Sequence, residues 1–475
     1  MDKFFISVNS IMSEAVFSES LAYASMKKRS VSARSFRTKI APSNGSTFAA
    51  DSTIQIDLPG NLQAQYFDFS SMYLKFKLTS DEAIHLDRGG AFGLFKRLQL
   101  SVAGAQLADI NSYGVLCTAM LDTDASAEWK AGYGNICAGT IGDALTGVSQ
   151  AAGAGGARVY CVPIVLNPLF NTTGHRLIPA FSLSAIQMRI QCDSAASSVV
   201  TAAAADPVLA FSEVELCCMM TELSPQAQSQ VDAACGGNYT ILANSFMNSQ
   251  ATLAANETQL TANLGFSVSS LERIIAVHRP TATIAARAAY SLGNRTTSGL
   301  VQYKYLINAE SFPQRDVVVG DHGAESTAEM LIADHALVDF NKGSALNNGV
   351  VQRTAGNAAS VMVGALGGVA PEVAKSACFM LKDGAGTIPG SSAAVTPATA
   401  NSNIGTFMIS TDFENGLSVG KSSSIYSGVS TIASSVQWLG TYSGVHQAAQ
   451  VDFFACFSVL MTLNTRGAGV WQISV

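Results

Sequence analysis

Charge is scarce in this sequence. Aspartate, glutamate, lysine and arginine together supply 13% of its 475 residues, where soluble proteins ordinarily carry about 25%. Much of the surface must therefore be neutral or buried against other subunits. Long hydrophobic runs are missing too: the greasiest stretch, residues 451–463, reaches little more than half of the roughly 20 residues a spanning helix needs, and it contains Asp452. No segment suits a bilayer, and a soluble chain is expected. The apolar residues near the N-terminus have no positive flank before them beyond Lys3, and Asn9, Ser13, Glu14 and Glu19 interrupt them, so a secretory signal peptide is not expected.

Local chemistry is equally thin. Among nine cysteines and six histidines there is no CxxC pair and no zinc-ligand spacing. The cysteines read as small buried hydrophobes in a reducing compartment. Cys217 and Cys218 are adjacent in a strand-like run, so they should face opposite sides of a sheet, one of them in the core. Residues 416–422, GLSVGKS, resemble a phosphate-binding P-loop but fall one residue short, and the backbone cradle depends on that length. Asp321 and His322, with Glu325 and Ser326, form the nearest approach to an acid, base and hydroxyl cluster. Their place in a polar loop before a helix favours Glu325 or Ser326 as a helix cap instead. No enzyme, cofactor or small-molecule substrate is expected.

A net charge of −6 argues against a general nucleic-acid binder. One stretch departs from it. Lys27, Lys28, Arg29, Arg34, Arg37 and Lys39 fall close together with no acid among them, either as a solvated tail or as an arm that meets the phosphates of a genome or of lipid headgroups.

What the sequence has in abundance is period-two alternation in short segments bounded by Gly, Pro, Ser or Asn, which predicts an all-β chain. Ile54, Ile56 and Leu58 share one face; Leu74, Phe76 and Leu78 another; Leu98, Leu100 and Val102 a third. Strands are further expected near residues 106–110, 158–166, 185–192 and 210–223, then at 239–247, 259–268, 302–307, 406–410, 435–439 and 449–463. Ala103-Gly104, Ser224-Pro225 and Phe312-Pro313-Gln314 read as turns. Helical spacing interrupts this twice, at Tyr113, Leu116, Cys117 and Met120 and again over residues 326–337. Residues 138–156 and 344–403 are rich in Ala, Gly, Ser and Thr and read as long, loosely packed loops.

The order strand, turn, helix, small-residue insertion, late strands thus occurs twice, half a chain apart. Length agrees with two domains. The boundaries expected are an arm over 1–44, a first sandwich over 45–223, a linker over 224–238 and a second sandwich over 239–475.

Segments spread over most of the chain beyond Thr38 resemble the double jelly-roll major capsid proteins of polinton-like viruses and virophages, in the lineage of adenovirus and large DNA viruses. They are IDLPGNLQAQYFDFSSMYLKFKLT (56–79), FKRLQLSVAGAQLADINSYGVL (95–116), SEVELCCMMTELSP (212–225), INAESFPQRDVV (307–318) and GKSSSIYSGVSTIASSVQ (420–437), with the final strand leading into RGAGVWQISV. The resemblance implies two tandem eight-stranded jelly rolls, a homotrimeric pseudo-hexagonal capsomer and an icosahedral virion capsid, with the protein made in the host cytoplasm or nucleus. It implies contacts with neighbouring capsomers and with penton and minor capsid proteins, and an N-terminal arm beneath the capsomer toward genome or membrane. Two other readings stand beside it: a single jelly roll with a projecting β domain, and a secreted β-sandwich adhesin or carbohydrate-binding protein.

Overall fold

A computed structural model describes residues 33–60, 62, 64–102, 105–141, 146–172, 175–180, 186–201, 205–284, 291–292, 295–319, 324–334, 350–351, 380–381, 407–414, 428–444, 446–464 and 471–474. The alternating segments become strands whose apolar face is fully buried, with Ile54, Ile56, Leu58, Leu74, Phe76, Leu78, Leu98 and Leu100 all at 0% exposure. In the first half the framework strands are β1 (Ala33–Ile40), β2 (Thr53–Leu58), β3 (Gln65–Ser80), β4 (Phe95–Val102), β5 (Ala105–Asn111), β6 (Arg158–Pro163), β7 (Ile186–Cys192) and β8 (Leu209–Leu223). In the second they are β9 (Asn238–Leu253), β10 (Gln259–Asn263), β11 (Leu271–Pro280), β12 (Leu300–Ile307), β13 (Glu310–Val318), β14 (Ile409–Asp412), β15 (Val436–Tyr442) and β16 (Ala449–Asn464).

Pairing shows that the two halves are the same object. The first half forms sheets ordered β1-β8-β3-β6 and β2-β7-β4-β5. The second forms β9-β16-β11-β14 and β10-β15-β12-β13. Numbered from the start of each half, both read 1-8-3-6 and 2-7-4-5. That is a jelly roll written twice, two antiparallel sheets closed over one core. Within the first roll, Thr47–Ala49 continues β1 along β8, and Ile178–Pro179 continues β6 along β3.

Aromatic side chains fill both interiors. Phe76 meets Phe95, Tyr160 and Phe211 at centroid distances of 5.7, 5.7 and 5.4 Å, whereas Trp438 stacks on Tyr303 at 5.1 Å and meets Tyr305 and Phe453.

Helices occupy matching places. α1 (Tyr113–Asp124), α2 (Ala127–Ala131) and α3 (Tyr133–Ala138) follow the fifth strand of the first roll, and α4 (Ala195–Ser198) precedes its last strands. Between the rolls runs α5 (Pro225–Cys235), and α6 (Ala324–Ala333) follows the fifth strand of the second. Ser224 and Pro225, expected to close the half as a turn, instead open α5: the Ser224 side chain accepts from the Ala227 amide, Pro225 takes the first turn, and Gly236 ends the helix in the left-handed region.

Other expectations change as well. Phe312-Pro313-Gln314 lies within β13, and the chain reverses earlier at Asn308 and Ala309, both with positive φ (50° and 72°), between the paired Ile307 and Glu310. A two-residue turn with both central residues left-handed is the hairpin type that matches strand twist, and glycine usually marks its second position. Alanine there hides the signal. Part of the expected arm, Ala33–Ile40, is a strand antiparallel to β8. Residues 138–156 include a strand, Thr146–Gln150, paired with Ile84–Asp87, which also pairs with Val199–Val200. Cys137 is exposed, contrary to the expectation that all cysteines are buried; Cys217 and Cys218 are both buried, and of the two only Cys218 belongs to the hydrophobic core, as expected. The Ala103-Gly104 turn, the P-loop-like segment, Asp321, His322 and nearly all of residues 344–403 lie outside the described residues.

Candidate functional site at the joint between the rolls

The two rolls share a sheet. β5 runs parallel to β9, with Asp109 opposite Met247, so one sheet of each roll fuses into the continuous order β14-β11-β16-β9-β5-β4-β7-β2. Asp109 is held by Arg97, with Nε at 2.6 Å, and by Gln99 Nε2 at 3.2 Å.

Beside this seam, α1 carries Asp122 into a buried cluster of charge. Arg88, which follows the strand Ile84–Asp87, donates Nε to both carboxylate oxygens at 3.0 and 2.9 Å. Lys130 of α2 and Arg295 of the second roll donate to the same carboxylate. All four side chains are at most 2% exposed. Burial by itself would raise the Asp122 pKa, but Arg88, Lys130 and Arg295 hold it far below the usual carboxylate range. Asp122 therefore stays ionised and ties three segments, one from the other roll, to a single point.

Further contacts cross the joint. The Leu292 amide donates to Asp87 Oδ2 at 2.7 Å. In β16, Asp452 accepts from Arg279 Nε and Nη2 at 3.0 and 2.7 Å and from Gln250 Nε2 at 2.7 Å. Gln250 in turn donates to Ser112 Oγ, at 2.8 Å, just ahead of α1. Ser112 occupies the N-cap position of α1 in the left-handed region (φ 51°), yet its side chain makes no capping bond and serves the joint instead.

His278 is buried inside the second roll, its Nε2 3.0 Å from the Tyr442 hydroxyl and its ring beside Trp438 and Phe407. Burial pushes its pKa down to about 3, so it is neutral at physiological pH.

The basic residues singled out from sequence lie partly within the described structure. Lys27, Lys28 and Arg29 lie outside the described residues. Arg34, Arg37 and Lys39 stand exposed on β1. Lys39 Nζ lies 3.0 Å from Glu215, which Lys75 also approaches at 3.3 Å, whereas the Arg34 guanidinium sits 5.4 Å from the Phe36 ring centroid. Glu325 is exposed and accepts from the Val318 amide at 3.0 Å, while Ser326 is buried. Among the described residues no cluster could hold a metal ion, and no helix is long and apolar enough to cross a membrane.

The cluster residues escaped the sequence reading. The buried Asp122 behind Leu116, Cys117 and Met120 was the available signal, but its partners lie up to 173 positions away.

No protein-family model and no curated protein matches the chain. Solved structures do match. VP54 of PBCV-1, as fitted into a reconstruction of the virophage Sputnik, aligns over 94% of this chain and 98% of its own, with 10% identity and a TM-score of 0.56. The Faustovirus major capsid protein aligns over 91% of both chains at 9% identity and a TM-score of 0.55. A chain from the Sputnik virophage structure aligns over 97% of this one and 92% of its own, at 10% identity and 0.54. With two eight-strand halves that share one pairing order on one side and these alignments on the other, the chain has the double jelly-roll fold of viral major capsid proteins.

Proposed function

We propose that this chain is the major capsid protein of a DNA virus: a structural protein that forms homotrimeric, pseudo-hexagonal capsomers tiling an icosahedral shell. The observation that carries the reading is the duplicated roll with a fused sheet. One chain presents two similar units in fixed relation, so three chains present six, which suits hexagonal packing. Low charge density supports it, since permanent interfaces resemble a core cut in half and are poor in charge at their centre. Likeness to capsid structures of PBCV-1 and Faustovirus points the same way.

On this reading the protein resides in the virion capsid and meets neighbouring capsomers, penton and minor capsid proteins. Lys27, Lys28 and Arg29 belong to an arm directed at the genome or an internal membrane. Because Ala33–Ile40 pairs with β8, a truncation that tests the arm ends at residue 32; removal of 1–32 should leave capsomers folded and impair closure of shells.

Negative-stain microscopy of the purified full chain, together with its mass in solution, tests the proposal. Hexagonal particles with the mass of three chains are expected. A protein that stays monomeric at every salt and protein concentration would overturn it.

A further inference from the structure

A helix packed on a globular protein ordinarily buries one apolar face, yet no residue of α5 is buried. Ala227, Gln228, Val231, Asp232 and Cys235 share one side of it and are only half-buried. Beside them opens a groove of about 260 Å³. Leu177, Leu223, Val231, Cys235 and Ile241 line it together with Tyr66 and Tyr239. Both tyrosine hydroxyls are already engaged, Tyr66 donating to Gln228 Oε1 at 2.8 Å and Tyr239 to Asp232. The remaining wall is mostly apolar, the kind of groove that takes the apolar face of a peptide segment.

We propose that this groove seats the chain's own N-terminal segment, with the apolar side chains between Phe4 and Leu21 folded back beside α5. The proposal does not depend on the capsid reading above.

Position selects this occupant first. Ala33, the first residue of β1, pairs with Leu223 of the groove wall, so the chain ahead of β1 departs from the groove's own edge. Length allows the return, because the stretch from Leu21 to Ser32 spans up to about 40 Å when extended. Composition fits as well. Phe4, Val8, Ile11 and Met12 recur at the three- and four-residue spacing of one helical face. A cavity of roughly 150 Å³ already holds a benzene ring, so the groove admits an aromatic side chain with room beside it. Charge agrees, since Glu14 and Glu19 belong to the same segment and Arg176 stands exposed on the rim. A tethered segment also acts at an effective concentration of about a millimolar, which favours the chain's own arm over a free partner. Lys27, Lys28 and Arg29 then fall in the returning stretch, outside the groove and available to phosphates.

The full chain carries its own probe and its own standard, because Cys235 lines the groove and Cys137 is exposed on α3. The test is the rate at which N-ethylmaleimide alkylates Cys235 relative to Cys137, read by mass spectrometry of the digested protein. Phe4→Ser/Phe5→Ser in the full chain should raise that ratio at least about tenfold over the wild type. Leu177→Glu, which places a charge on the groove wall, should do the same. Combining the two sets should add no more than about twofold, since both remove one contact. The buried Cys117, Cys192 and Cys218 must stay unlabelled, which shows that a variant is folded; if one set exposes them, the other carries the test.

A photo-crosslinking p-benzoylphenylalanine in place of Met12 should join α5 within a single chain, at monomer mass on a denaturing gel. A ratio unmoved by either variant would overturn the proposal, whether the groove stands open or another protein covers it. Crosslinks found only at dimer mass would overturn it too, by assigning the groove to a second copy's arm. Trimers with an unmoved ratio would leave the capsid reading intact, whereas a lasting monomer with a protected Cys235 would sink that reading and keep this one.

Discussion

The eighth strand of each roll occupies the same central place in the same sheet, yet the two are buried differently. In β8 inward residues such as Phe211, Leu216, Cys218 and Met220 alternate with partly exposed ones such as Ser212, Glu215 and Met219. From Val451 to Val459 every residue of β16 is buried except Ser458. The topology is identical, so what covers the outer face makes the difference. The outer face of β8 carries Glu213 and Glu215 toward water and nearby lysines. The outer side of the β16 sheet meets the first roll, where Ser112 and α1 reach it. Asymmetry of burial between equivalent strands therefore locates the joint, and burial on both faces erases the alternation by which strands are read.

The comparison can be broken most sharply at Asp122. Asp122→Ala leaves Arg88, Lys130 and Arg295 facing one another in a buried site. Removing one partner of such a cluster costs about 3–5 kcal/mol. Calorimetry should show the cooperative unfolding of the wild type lowered and split into two transitions; a single unshifted transition would mean the rolls do not depend on this joint.

Core truncations compare the rolls directly. Trp438→Ala and Phe76→Ala each remove a fully buried aromatic, one from each roll, and each should cost about 3–5 kcal/mol in denaturant titrations. With the joint intact both should lower the same transition, and in the Asp122→Ala background each should lower only its own. Independent effects in the wild type would show rolls that merely share a chain.

Acid should separate the two regions by pH. His278 has a folded pKa of about 3, below its unfolded value near 6.5. The unfolded chain therefore binds the proton first, and stability falls as pH drops from about 6.5 toward 3, by at most about 1.4 kcal/mol per unit. The depressed pKa of Asp122 acts lower: its contribution is complete above the unfolded value, about 4, and is lost as pH falls below that. His278→Phe should flatten the slope between about pH 6.5 and 4 and leave the steeper loss below it; an unchanged slope would remove His278 from the account.

The smallest expected effect concerns the turn between β12 and β13. Ala309→Gly should stabilise the protein by about 1 kcal/mol, since the left-handed conformation at φ 72° penalises a side chain. A loss of stability would show that the turn owes its shape to alanine packing.

Much of the fold was legible because alternation reports one buried face. β2, β3, β4, β7, β8, β12 and β15 follow it, and the strands expected there are observed. β11 was missed, since its run Ile274 to Pro280 is buried throughout and shows no period of two. β1 was read as part of an arm because Arg34, Arg37 and Lys39 face outward and only Phe36 and Ile40 lean on the core. The joint was almost invisible: Asp87, Asp122, Arg279, Arg295 and Asp452 are ordinary charged residues until the chain brings them together.

The sequence by itself determined an all-β chain with the same order of events in both halves, because side-chain periodicity and turn chemistry are local properties. Tertiary structure alone decided that β5 would meet β9, which carboxylates would be buried, and which strand edges would remain open. Those outcomes depend on contacts between residues more than a hundred positions apart, as with Asp122 and Arg295, and no local pattern records them.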